Sequence, residues 1–214
     1  SIPDIIVSDI MMPVMNGITM CKILKEDVRT SHIPIILLTA KDSLQDKEEG
    51  YQVGADSYLT KPFSATLLHS RINNLLESRK RLTERFNTST PHHNMDEKRA
   101  LLAESLNKLD NEFIEKINQL IEARLSSEKI DIGYLADNMC MSKSTLYRKM
   151  KALTGLSTNE YVRKIKMQHA ERLLLEGRYN ISEVAFRVGI NSVVYFRQCF
   201  KEEFGVLPSE YLKQ

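Results

Sequence analysis

In the segment SDIMMPVMNG, residues 8–17, one carboxylate follows an apolar run and precedes the pair Met11–Met12, a proline and a glycine. Asp9 in that place is either a local cap or a chemical group held at the end of a buried strand. A second set of functional types lies far along the chain. In SKSTLYRKMKALTG (142–155), Ser144, Tyr147, Arg148 and Lys151 share one helical face, opposite Leu146, Met150 and Leu153. In SVVYFRQCFKEEFG (192–205), Val194, Arg197, Gln198 and Lys201 are left for the outer face, with Tyr195, Phe196, Cys199 and Phe200 turned inward. Such faces suit a DNA major groove: Arg can bridge guanine O6 and N7, Gln can pair with adenine, and Val can touch a thymine methyl. Lys143 and Lys151 suit phosphates better. From Lys143 to Lys151 there are four bases and no acid. That run points to a polyanion partner; a solvated helix face is the plainer reading.

Two textures must position these residues. Residues 1–85 alternate short apolar runs (DIIVSD, IPIILLTA, DSYLT) with amphipathic segments (GITMCKILKED, DKEEGYQVG, ATLLHSRINNLLESRKRL). That alternation predicts a parallel sheet with helical crossovers, its strands buried on both faces. FNTSTPHHN (86–94) has no periodicity and is rich in turn-forming residues, which predicts a linker over 86–104. Beyond it the spacing is helical throughout: LDNEFIEKINQLIEARL carries Phe113, Ile114, Ile117, Leu120, Ile121 and Leu125 on one face.

A duplication then emerges. Ile132, Leu135 and Ala136 match Ile181, Val184 and Ala185 at an offset of 49 residues. Ser142, Leu146, Met150, Lys151, Gly155, Glu160 and Tyr161 match Ser192, Phe196, Phe200, Lys201, Gly205, Glu210 and Tyr211 at an offset of 50, so the second copy has one extra residue in its turn. Each copy reads as a short helix, a tight turn and a second helix, with Ser142 and Ser192 as N-caps. An apolar helix, NEYVRKIKMQHAERLLLEG, joins them.

Composition narrows the class. Of 214 residues, 42% are hydrophobic and 27% charged, as in a globular protein. No apolar run approaches the ~18 residues of a membrane span, and SIPDIIV has no basic leader. Cys21, Cys140 and Cys199 are odd in number and widely spaced, which fits reduced thiols in a cytoplasmic setting rather than a disulfide framework or zinc site. The charge is uneven: residues 126–214 hold 14 bases against 10 acids, while residues 1–91 hold 11 of each.

Residues 105–214 resemble the DNA-binding domain of the AraC (arabinose-regulator) family, through LADNMCMSKSTLYRKMKALTG, ISEVAFRVGINSVVYFRQCFKEEFG and the terminal PSEYL. The resemblance implies two helix-turn-helix units, at about 130–155 and 181–205, each placing one recognition helix in the major groove. Its base readers would be Ser144, Tyr147 and Arg148 in the first unit and Val194, Arg197 and Gln198 in the second, with Asn191 near the helix start. Paired units on one chain suit half-sites one helical turn apart, ~34 Å.

DIIVSDIMMPVMNG, with Thr39 ending IILLTAK and Lys61–Pro62 in SYLTKPF, resembles the phosphoacceptor region of a two-component receiver domain. The resemblance implies that Asp9 takes a phosphoryl group from a phosphohistidine, that Lys61 and Thr39 bind phosphoryl oxygens, and that Tyr58 is the switch aromatic. It implies a cis Lys61–Pro62 bond, and Mg²⁺ held by Asp9 and the Met11 carbonyl together with a pair of acids on an earlier strand. A receiver has five strands in a flavodoxin-like order. Only its last three are expected over residues 1–85, so the first two strands, with the paired acids, would precede Ser1. This portion alone is therefore expected to hold no metal and to take up phosphate poorly.

The fold expected is thus a partial α/β receiver, doubly wound with a parallel sheet, followed by an all-α domain with two helix-turn-helix units. The function expected is a phosphorylation-controlled, sequence-specific DNA-binding regulator, itself not an enzyme, that activates carbohydrate-use genes. Its partners would be double-stranded DNA, a histidine kinase phosphodonor, a second copy of the chain and RNA polymerase. LDNEFIEKINQLIEARL followed by STLYRKMKALTGLS resembles the hybrid class in which a membrane-anchored sensor kinase shares the polypeptide, this portion staying cytoplasmic. Two alternatives stand: a portion of a histidine kinase with its enzymatic domains upstream, or a phosphate-independent dimerising DNA binder.

Overall fold

A computed structural model describes residues 3–40, 52–87, 106–127 and 130–212. The DKEEGYQVG segment up to Tyr51 and most of the expected linker, with His92 and His93, lie outside these residues. The chain divides into two units, one comprising residues 1–83 and 107–110, the other 84–106 and 111–214.

In the first unit, β1 (Ile6–Asp9), β2 (Ile35–Thr39) and β3 (Ser57–Thr60) form a parallel sheet in that order. The register sets Asp9 opposite Leu38 and Thr39 opposite Thr60. Ile35, Ile36 and Leu37 are fully buried, as a central strand covered on both faces should be. Helix α1 (Gly17–Glu26) follows β1; Asn16 caps it, its side chain accepting from the Thr19 N–H at 2.7 Å. Cys21 and Ile18 of α1 pack with Ile10, Ile35, Leu37 and Tyr58. At the amino edge of the sheet, Lys25 donates to the Ile33 carbonyl at 2.9 Å and to Asp56 at 2.7 Å, and Asp56 accepts from the Ile35 N–H at 2.8 Å. One ion pair therefore ties α1 to the starts of β2 and β3.

The helix after β3, expected over about 64–82, is α2, Ala65–Asn87. It runs past the expected start of the linker at residue 86. The residues beyond 82, TERFN, continue a helix whose exposed face carries a Glu77–Arg81 pair at 3.2 Å, and such i, i+4 pairs support an exposed helix. Among the described residues no helix is long and apolar enough to cross a membrane.

The second unit contains only helices among its described elements. Helix α3 (Lys108–Glu122) is followed by α4 (Ile132–Asn138) and α5 (Lys143–Thr154), then α6 (Thr158–Leu175), α7 (Ile181–Arg187), α8 (Val193–Phe204) and α9 (Pro208–Tyr211). The duplication is visible in the backbone. Ser142 and Ser192 cap α5 and α8 by accepting from the N–H groups of Thr145 and Tyr195. Gly155 and Gly205 end those helices in the left-handed conformation, at φ 73° and 79°. Ala136 and Ala185, at most 1% exposed, are where the paired helices approach. Leu146, Met150 and Leu153 form the inner stripe of α5. Phe196, Cys199 and Phe200 do so in α8, where the rings of Phe200, Phe204 and Tyr211 cluster.

Candidate functional site

Asp9 and Thr39 end adjacent strands, and Lys61 directly follows β3. The Lys61 N–H donates to the Thr39 carbonyl at 2.8 Å. The Lys61 ammonium donates to Asp9 Oδ2, and the Met11 N–H donates to Asp9 Oδ1 at 3.2 Å. The ammonium, then the Met11 N–H, hold the Asp9 carboxyl below its usual range despite partial desolvation. Thr39, 2% exposed, donates its hydroxyl to the Ala40 carbonyl at 3.0 Å. Tyr58 is buried in the core beneath the edge, and Lys61–Pro62 is cis. The loop after Asp9 closes tightly because the Gly17 N–H donates to the Ile10 carbonyl at 2.9 Å. A Cβ on Gly17 would be driven into the Asp9 carbonyl oxygen. The sheet edge thus offers a carboxylate nucleophile, a cation beside it and a hydroxyl donor, the requirements for accepting a phosphoryl group.

In the second unit, Lys143, Ser144, Arg148 and Lys151 are exposed along α5, and Tyr147 is 49% exposed. On α8, Arg197, Gln198 and Lys201 are exposed, Val194 is 78% exposed, and Asn191 is exposed just before the Ser192 cap. Helices α5 and α8 therefore present these polar faces to solvent. Gln198 donates to Glu202 at 3.1 Å, an exposed bond that DNA contact would have to exchange.

Residues 1–73 match the response regulator receiver domain family, and residues 135–214 match a helix-turn-helix domain family. The chain joins part of a receiver to an AraC-type helix-turn-helix domain. Over 99% of its length it is 36% identical to histidine kinase P4 of Formosa agariphila, covering 15% of that protein. Over 38% of its length it is 43% identical to the DNA-binding dual master transcriptional regulator RpaA of Synechocystis, covering 34% of it. The C-terminal domain of AraT, a response regulator from Geobacillus stearothermophilus, aligns at 31% identity and TM-score 0.44, covering 47% of this chain and 84% of that one. The chain therefore spans only a part of each of these two curated relatives.

The receiver edge as built here does not make a cation site by itself. Asp9 and the Met11 carbonyl supply two protein oxygens, and both Asp9 oxygens already accept hydrogen bonds, one of them from Lys61. Among the described residues no group of three or more His, Cys, Asp or Glu side chains could hold a metal.

Two positions on the helix-turn-helix domain differ from the expectation. Tyr195, placed inward by periodicity, is 50% exposed beside Val194. By helical spacing it falls at the flank of the Phe196–Cys199–Phe200 stripe, one turn before Cys199, which pushes its phenol up while Arg163 of α6 opposes that shift. Lys149, one of the four bases in the 143–151 run, is fully buried, its ammonium 4.9 Å from the centre of the Phe113 ring on α3. The helical spacing is the available signal: Lys149 falls one residue before Met150, at the flank of the inner stripe.

Proposed function

We propose that this chain couples aspartyl phosphorylation to sequence-specific DNA reading. The observation that carries the reading is the Lys61 ammonium on the Asp9 carboxylate at the carboxyl edge of the sheet, in one chain with two exposed recognition helices. An Asp9 oxygen forms the new O–P bond as the P–N bond of a phosphohistidine breaks and the leaving imidazole nitrogen takes up a proton. Lys61 then shifts from the carboxylate to a phosphoryl oxygen, where it offsets the added negative charge. Thr39 gives up the Ala40 carbonyl and turns its hydroxyl to the same group. Such a change in charge can bias a two-state element, here Tyr58 and α2, and favour pairing of two copies.

On DNA, Ser144, Tyr147, Arg148, Val194, Arg197, Gln198 and Asn191 face the bases, and Lys143 and Lys151 hold phosphates. The whole-length similarity to a protein named as a histidine kinase supports a hybrid parent that supplies the phosphodonor within its own polypeptide. Activation of carbohydrate-use genes, through contact with RNA polymerase, follows from resemblance to the hybrid class.

The test is selection of duplexes from a random pool, comparing wild type with Arg148→Ala and Arg197→Ala. The expected result is a motif in two parts one turn apart, each variant relaxing one part at a cost of ~1–3 kcal/mol. Binding that shows no motif and only fades with salt overturns the two-unit reading. In the full-length parent, Asp9→Asn is expected to abolish the regulated response; a response equal to wild type makes the receiver a phosphate-independent dimerising piece.

A further inference from the structure

The turn of the second reading unit meets the segment between α3 and the first unit at a backbone junction that a buried ammonium spans. Gly189, in the turn of the second unit, has φ 67° and lies against the segment that follows α3. A Cβ there would be driven into the Ser127 carbonyl oxygen and would lie 2.8 Å from that of Leu125. The contact is therefore backbone on backbone, with no room for a side chain. Lys166 of α6 also reaches this junction. It is 5% exposed, and its Nζ donates to the Ser127 carbonyl at 2.7 Å and to the Gly189 carbonyl at 3.3 Å.

Those two carbonyls come from different segments, Gly189 from the second unit and Ser127 from the stretch between α3 and the first unit. Ser127 follows α3, whose residues grip the first unit: Phe113 lies under the Lys149 ammonium of α5, and the Arg124 guanidinium lies 3.7 Å from the centre of the Tyr134 ring of α4. Gly189 belongs to the turn that leads into α8. Packing beside Lys166 is incomplete, since a cleft of about 290 Å³ opens there, lined by Ile130, Arg163, Ile190 and Tyr195. An apolar seal would hold the units without a polar tie. Here charge-assisted hydrogen bonds in a buried setting fix the geometry instead.

We infer that Lys166 is a positioning residue for DNA reading: it fixes the separation and angle of the two recognition helices, and so sets the half-site spacing the chain accepts. One inserted base pair moves a half-site by ~3.4 Å and about a tenth of a turn, so a rigid pair of readers tolerates little change. The inference rests on the two-unit reading proposed above.

The experiment uses the 214-residue chain and the selected two-part duplex, with and without one or two base pairs inserted between the parts, and a duplex carrying one part alone. Wild type is expected to lose about tenfold or more in affinity on insertion. Lys166→Met is expected to bind the single-part duplex as wild type does, yet to lose less than about threefold on insertion. Lys166→Gln, which shortens the reach but keeps a polar end, is expected to behave likewise and keeps the test open if the Met variant fails to fold. Variants that bind a single part normally and keep the wild-type penalty overturn the role of Lys166 alone. Variants that keep that penalty while losing affinity for every duplex equally also overturn it, making Lys166 merely structural. A wild type indifferent to spacing overturns the two-unit reading together with it.

Discussion

Cys140 holds in the first helix-turn-helix unit the backbone conformation that Gly189 holds in the second, with φ 53° at one and 67° at the other. The two are paired by the 49-residue offset that relates α4 to α7. A left-handed residue with a Cβ costs ~1–2 kcal/mol, and glycine returns ~0.5–1 kcal/mol of that through the entropy of the unfolded chain. Cys140 is exposed, so little packing is lost by removing its side chain. Cys140→Gly is expected to stabilise the helix-turn-helix domain by ~0.5–1 kcal/mol. A urea unfolding midpoint at or below wild type would show that this turn is relieved in some other way.

Gly17 serves a different need, close approach rather than positive φ. Any Cβ there meets the Asp9 carbonyl oxygen and lies 3.0 Å from its carbon, both backbone atoms that cannot turn aside. Gly17→Ala should therefore displace the segment that carries Asp9. The expected cost is ~1–3 kcal/mol, the range for overpacking, read as earlier melting of the first unit. The second unit should keep its binding to the selected duplex. A Gly17→Ala chain with an unchanged melting profile would mean that the loop absorbs the methyl elsewhere.

What the sequence makes legible follows from what is local. The apolar runs ending at Asp9, Thr39 and before Lys61 announce strand ends, and parallel pairing brings strand ends of one polarity to a single edge. Ser142 and Ser192 announce helix starts, and the extra residue of the second turn is visible as a change of offset. What is not legible depends on partners distant in sequence. KIKMQ in α6 belongs to a helix that its sequence shows only as apolar, without the partners of its lysines, and Lys164 and Lys166 are each 5% exposed. Lys164 pairs with Glu203 at 2.7 Å, and Lys166 finds two carbonyls that only the fold brings near. Tyr195 has the Arg163 guanidinium beside its phenol, from a residue 32 positions earlier in the chain.

The Asp9–Lys61 pair has a pH signature with a definite sign. The Lys61 ammonium is the largest cause lowering the Asp9 carboxyl in the folded chain. A depressed carboxylate adds stability above its unfolded pKa, and that stability is lost as pH falls through the folded value. Lys61→Met removes the main cause, so Asp9 should titrate at higher pH than in wild type. The acid-side fall in stability of the first unit should become shallower. Following the Asp9 carboxyl carbon by NMR between neutral and acid pH reads the shift; a variant titrating where wild type does would mean that the Met11 N–H carries the effect alone.

Lys143 and Lys149 share one helix and one sign of charge, yet only the first should shape the salt dependence of binding. Lys143 is exposed at the first turn of α5, where a phosphate can reach it. Lys149 is fully buried, its ammonium against Phe113, and offers DNA no charge at contact distance. Each phosphate contact contributes about −0.9 to the slope of log K against log salt. Lys143→Ala is expected to make that slope shallower by about 1 and to weaken specific and nonspecific duplexes alike. Lys149→Met is expected to leave the slope unchanged, while lowering stability through loss of the cation–ring contact by ~0.5–2 kcal/mol. Titrations of both variants between low and moderate salt separate the two roles. A Lys149→Met slope as shallow as that of Lys143→Ala would mean that the recognition helix turns its buried lysine outward when it meets DNA.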